Sequence, residues 1–152
     1  MIGKYFTNWV HFTLLIWYVM YIFKIRGYNY INLYYPCILI LFGYIILYLY
    51  YYLILQYKFQ ISLILFQLFT HSFPLMLLIY LNQTHSNYSL LTLFILIIIY
   101  IIYLRTINKT IYQVYFVDRY PKTWKDIKEI CQTDEKNYFP ITVIYLCNYL
   151  NN

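Results

Sequence analysis

The 152-residue chain is 63% hydrophobic and 11% charged, less than half the charged share of about 25% in a soluble globular domain. A chain this short cannot bury so much apolar surface against itself, because small domains leave a large fraction exposed, so lipid is the remaining solvent. The net charge of +6 belongs to residues 1–117, where Lys4, Lys24, Arg26, Lys58, Arg105 and Lys109 punctuate apolar runs with no acidic residue among them; this is the pattern of membrane-flanking anchors, not of the single basic face that binds nucleic acid.

An all-α, polytopic membrane protein is the predicted class, since only helices satisfy every backbone group within one lipid-length segment. The first segment, about 5–23, reads "YFTNWVHFTLLIWYVMYIF". It is too long for a signal-peptide core and is followed by no small-residue cleavage site, so an uncleaved helix is expected. Thr7 and His11 stand four residues apart on one of its faces with Tyr18, and Asn8 lies beside them. A Thr hydroxyl near an imidazole is a minimal nucleophile–base pair. No carboxylate exists in residues 1–117 to orient the histidine, and an interfacial polar turn accounts for the same residues.

The second segment, about 33–55, carries Pro36 in its first turn, where the missing N–H matters little. Its tyrosine-rich stretch "YIILYLYYYL" (44–53) is explained by packing and by codon usage. The chain has no alanine, three glycines and 23 tyrosines, as an AT-rich genome would produce.

The third segment, about 59–81, holds the one pronounced polar stripe. Stepping 100° per residue puts Gln60, Gln67, His71 and Pro74 within about 60° of one another. Pro74 removes the hydrogen bond to the carbonyl of Thr70, leaving an acceptor beside His71 and predicting a kink. Polar side chains in lipid face the bundle interior. Gln60, Gln67 and His71 therefore either hold helices together or form a working site.

The fourth segment, about 88–104, "YSLLTLFILIIIYIIYL", is the least polar. Four spans put both termini on one side. The basic residues then divide four to two in favour of a cytosolic N- and C-terminus.

Residues 1–110 thus form a predicted transmembrane bundle and residues 111–152 a cytosolic or interfacial tail with five basic and five acidic residues. Within the tail, Thr123-x-x-Asp126 has the form of a capping box, with Trp124, Ile127, Ile130 and Cys131 on one face of a short amphipathic helix. The apolar stretch 140–150 would reach only about 16 Å as a helix, too short to span.

Cys37, Cys131 and Cys147 lack C-x-x-C spacing, and their odd number argues against a disulfide framework or zinc site; Cys37 and Cys147 read as small buried apolar residues. No H-x-x-H spacing occurs. Counted from the helix starts, His11 lies about 9 Å and His71 about 18 Å deep, so no shared metal or cofactor is expected. The triplets at Asn82, Asn87 and Asn108 match glycosylation acceptors in form. They arise by chance in an Asn-rich chain, and the 82–87 loop hugs the membrane.

"NWVHFTLLIWYVMY" (8–21), "NLYYP" (32–36), "FPLMLLIYL" (73–81) and "LFILIIIYIIYL" (93–104) together resemble small four-helix membrane proteins of nucleocytoplasmic large DNA viruses, a likeness covering about residues 5–110. This implies a viral protein of host endomembrane or virion membrane with no assigned activity. "KYFTNW" (4–9) and "THSFPLMLLIYLNQTH" (70–85) are similar to androgen-induced-protein-type membrane hydrolases. That resemblance implies Thr7 as nucleophile and His71 as base against lipid esters. A subunit of a respiratory complex encoded by an AT-rich organelle genome fits the same composition. The leading expectation is a structural or interaction component without catalytic activity, its partners being the bilayer and other membrane proteins or copies of itself.

Overall fold

A computed structural model of the chain describes residues 5–111, 114, 121–133 and 147. All the regular structure among them is helical: α1 (Phe6–Ile22), α2 (Tyr34–Leu49), α3 (Ile61–Tyr80), α4 (Asn87–Thr106) and α5 (Trp124–Cys131). A π-helical turn, Tyr50–Ile54, prolongs α2. Three helices, Tyr34–Ile54, Ile61–Tyr80 and Asn87–Thr106, are long and apolar enough to cross a membrane. α1 has 17 residues, or about 25 Å at the helical rise. Of the stretch 140–150, only Cys147 is among the described residues.

The interior is narrow. Val10, Leu14 and Trp17 of α1 meet Leu33, Cys37 and Ile40 from the start of α2, Leu78 of α3, and Leu96, Tyr100 and Leu104 of α4. Phe6 packs on Tyr100 and Trp9 on Tyr103, joining α1 to α4. The outer faces are as apolar as the core: Ile61, Ile46, Phe12 and Phe94 are all more than half exposed. Apolar surface this extensive marks an interaction with lipid or protein.

Helix ends matter most where no water is at hand, because each leaves backbone groups without intrahelical partners. α1, α3 and α4 all terminate in the same way. Lys24, Asn82 and Asn108 adopt left-handed conformations, with φ of 49°, 58° and 51°. The following N–H then reaches back five residues, as in Ile25 N to Met20 O, Gln83 N to Leu78 O and Lys109 N to Leu104 O. This is the Schellman closure, and after glycine asparagine is the residue that best tolerates it. Two of the three glycosylation-type asparagines therefore sit where they do to end helices.

At the α2 start, the orphan N–H groups go to side chains. Tyr34 N donates to Asn32 Oδ1, Tyr35 N to Ser89 Oγ at 2.7 Å, and Leu33 N to Gln83 Oε1; Pro36 has no N–H to satisfy. Gln83 also donates to Ile31 O, and Asn32 to Thr84 O and Ser86 Oγ. His85 Nδ1 lies 2.6 Å from the Tyr35 hydroxyl. The connections leading into α2 and α4 are thereby stitched into one polar cap over the apolar bundle.

At the opposite end, α5 docks on the start of α3. The expected capping box forms: Thr123 Oγ1 accepts from Asp126 N, and Asp126 Oδ2 accepts from Thr123 N. Ile127 and Cys131 pack on Leu63, with Trp124 beside them. Cys131 is bonded to Cys147, which corrects the expectation of unpaired cysteines. Sequence spacing does not limit disulfides once a helix brings distant residues together, and their Cα atoms lie 5.0 Å apart. Cys37 is free and buried, as expected.

Gln83→Ala removes both halves of the clamp on the α2 start and leaves two backbone groups unpaired. It is expected to destabilise the bundle by about 1–3 kcal/mol, measured by denaturant titration in micelles. An equal effect from Ala at the exposed Gln56 would show that the clamp contributes nothing.

Candidate functional site

The polar stripe of α3 divides into two places. Gln60 is the N-cap residue of α3, outside the bundle interior. Its N–H donates to Lys122 O at 2.9 Å and its Oε1 accepts from Trp124 N at 3.1 Å. Trp124 Nε1 in turn donates to Ser62 Oγ, and its ring packs on Phe66. Gln60 thus serves as the socket for the tail helix.

Gln67 and His71 lie within the helix, half-buried. The His71 ring stacks on Tyr44 of α2, with centroids 4.6 Å apart and planes 20° from parallel. Tyr44 begins an i, i+4 ladder of rings that continues through Tyr48 to Tyr52. Tyr44 thus packs on α3, and Phe59, just before α3, packs on Tyr48, while Tyr52 at the end of the ladder is half-exposed. His71 Nδ1 is 2.7 Å from the Gln67 carbonyl. A carbonyl only accepts, so Nδ1 carries the hydrogen, and in the neutral ring Nε2 is left with a lone pair.

Pro74 sits in the middle of a continuous α3, and without its N–H the Thr70 carbonyl has no helical partner. His11 of α1 is half-buried, and its Nδ1 is buried without a hydrogen-bond partner.

Thr7 and Asn8 are both buried, one turn nearer the N-terminus than His11. Tyr18, on the same predicted face, is 39% exposed and points outward. The described partners of the His71 ring are thus Gln67, Thr70 and Tyr44. Tyr44 was hidden among 23 tyrosines, and no local signal distinguished it. Among the described residues, no group of three or more His, Cys, Asp or Glu is placed to hold a metal.

Comparison of the chain with protein-family models, curated proteins and solved structures found no match.

His71 and Tyr44 form the observed contact between α2 and α3 at this site. His71→Ala is expected to cost about 0.5–1.5 kcal/mol, the range for a stacked ring pair. In a Tyr44→Leu background the same substitution should cost less, because its stacking partner is already gone. Unfolding of the four proteins in mixed micelles gives the coupling energy, and strict additivity would disprove the contact.

Proposed function

We propose that the chain is a four-span helical membrane protein with a structural or interaction role and no catalytic activity. The observation that carries this reading is how the polar groups are used. Gln60, Gln83, Asn32 and Ser89 tie segments of the chain to one another, and His71 is spent on Gln67 and Tyr44. The outward faces are left apolar for lipid and membrane partners. The alanine-free, AT-biased composition supports a viral or organellar source, and the tail helix, with Lys125, Lys128 and Glu129 on its solvent side, is the partner-facing surface.

Orientation is argued from charge. Lys58, Arg105 and Lys109 belong to the end where α3 begins and α4 finishes, Lys24 and Arg26 to the other. Counting Lys4 with the first group, the positive-inside rule favours a cytosolic tail. The Cys131–Cys147 bond pulls the other way, since disulfides persist in oxidising compartments.

A second reading is lipid-ester hydrolysis with Thr7 as nucleophile and His71 as base, with His11, whose Nδ1 has no partner, one turn from Thr7. There the Thr7 oxygen would attack the ester carbonyl while an imidazole takes its proton and passes it to the departing alcohol. Water would then release the acyl group from Thr7.

Alkaline carbonate is expected to leave the protein in the membrane pellet; release into the supernatant would end the membrane reading. Alkylation in intact cells, quenched before lysis, tests orientation: a cytosolic tail predicts modified Cys131 and Cys147, and protection until reductant is added places the tail on the oxidising side. The purified protein should not react with a fluorophosphonate. Labelling that Thr7→Ala abolishes would replace the non-catalytic reading with the second one.

A further inference from the structure

The end of the bundle where α3 begins and α4 finishes carries an excess of positive charge. Among the described residues, Lys58, Arg105, Lys109, Lys122, Lys125 and Lys128 stand there against Asp126 and Glu129. Both carboxylates are taken. Asp126 Oδ2 accepts from Lys122 N at 2.7 Å and from Thr123 N at 2.9 Å, and Glu129 lies 3.9 Å from Lys125 Nζ. Lys122 Nζ sits 3.6 Å from the centroid of the Tyr57 ring, which attracts a cation without neutralising it. Lys58 follows that tyrosine and is exposed, as is Lys128. Gln60 N donates to Lys122 O at 2.9 Å, so Lys58 and Lys122 belong to one junction.

We propose that this junction is a docking surface for anionic phospholipid headgroups, with Lys58, Lys122 and Lys128 as its cations. The inference rests on the membrane-spanning reading above and names the partner of the tail surface. Depth selects lipid. Lys58 lies just ahead of the apolar span Ile61–Tyr80, at the level of the polar headgroup layer. Tyr57, Phe59 and Trp124 gather in the same junction, as aromatic rings do at a membrane–water boundary. Clusters of about four to eight basic residues beside a span are what an anionic leaflet attracts. An acidic protein segment would have to compete with headgroups already held at that depth. The tail contributes by placement: Tyr57, Gln60 and Ser62 hold Lys122 and Trp124 against the start of α3. Less side-chain freedom is then lost when a phosphate is met.

The test reconstitutes the full chain in phosphatidylcholine vesicles with a trace of spin-labelled phosphatidylglycerol or, in parallel, spin-labelled phosphatidylcholine. Spin resonance separates lipid immobilised at the protein from lipid free in the bilayer. Phosphatidylglycerol should be enriched at the protein at least about threefold over phosphatidylcholine in low salt, as several cations near the surface imply. At about 1 M salt, where the Debye length is about 3 Å, the ratio should fall toward one. Combined Lys58→Gln, Lys122→Gln and Lys128→Gln should remove most of the enrichment. Lys24→Gln with Arg26→Gln, at the opposite end, should leave it intact. The salt response of the unaltered protein does not depend on whether a variant folds. Equal uptake of the two lipids would overturn the assignment and leave the lysines to an acidic protein partner. Enrichment that survives salt or the triple substitution, or is lost with Lys24 and Arg26, would overturn it too. Absence of immobilised lipid with either label would overturn the membrane-spanning reading, and this inference with it.

Discussion

One missing hydrogen atom organises the middle of this molecule. Pro74 has no N–H, so the carbonyl of Thr70 lacks its helical donor in the middle of a helix long and apolar enough to cross a membrane. In a soluble protein such a carbonyl is readily hydrated. Across a bilayer it would have to be met by protein. Beside it, the Gln67 carbonyl accepts from His71, whose ring stacks on Tyr44 and attaches α3 to α2. Apolar packing alone would leave such a pairing weakly specified, because lipid tails compete equally well for apolar surface.

The same constraint explains the two ends. The N–H groups at the α2 start are met by Asn32, Gln83 and Ser89, and the carbonyls at three helix ends by N–H groups five residues on. At the far end Gln60, which belongs to the α3 cap, is engaged by the tail through Lys122 and Trp124. Polar residues are scarce in this chain, and in these three places they work as connectors. Specificity in the bundle therefore rests on a small number of hydrogen-bonded points, with the aromatic ladder from Tyr44 to Tyr52 filling the space between them.

Much of this was legible in the sequence where the signal was local. Three apolar segments, the Thr123–Asp126 box and the open Thr70 acceptor all follow from spacing within one helix turn or from composition. Gln60 shows where periodicity misleads: it shares a helical angle with His71, but angle says nothing about whether a residue lies inside the helix or at its cap. Relations between helices were not legible. The His71–Tyr44 stack depends on how one helix lies against another, and the Cys131–Cys147 bond on where distant segments meet, which no pair spacing encodes. Tyr44 was one ring in a composition full of them.

The chemical character of His71 follows from what surrounds it. A catalytic histidine is ordinarily oriented by a carboxylate that also stabilises the imidazolium formed in the reaction. Here the ring is oriented by the neutral Gln67 carbonyl, and no acid exists anywhere in the first 117 residues. A carbonyl orients an imidazole as well as a carboxylate does, but contributes only a dipole against a full positive charge. A ring held this way and stacked on Tyr44 is well placed for packing and poorly suited to cycling through a cation.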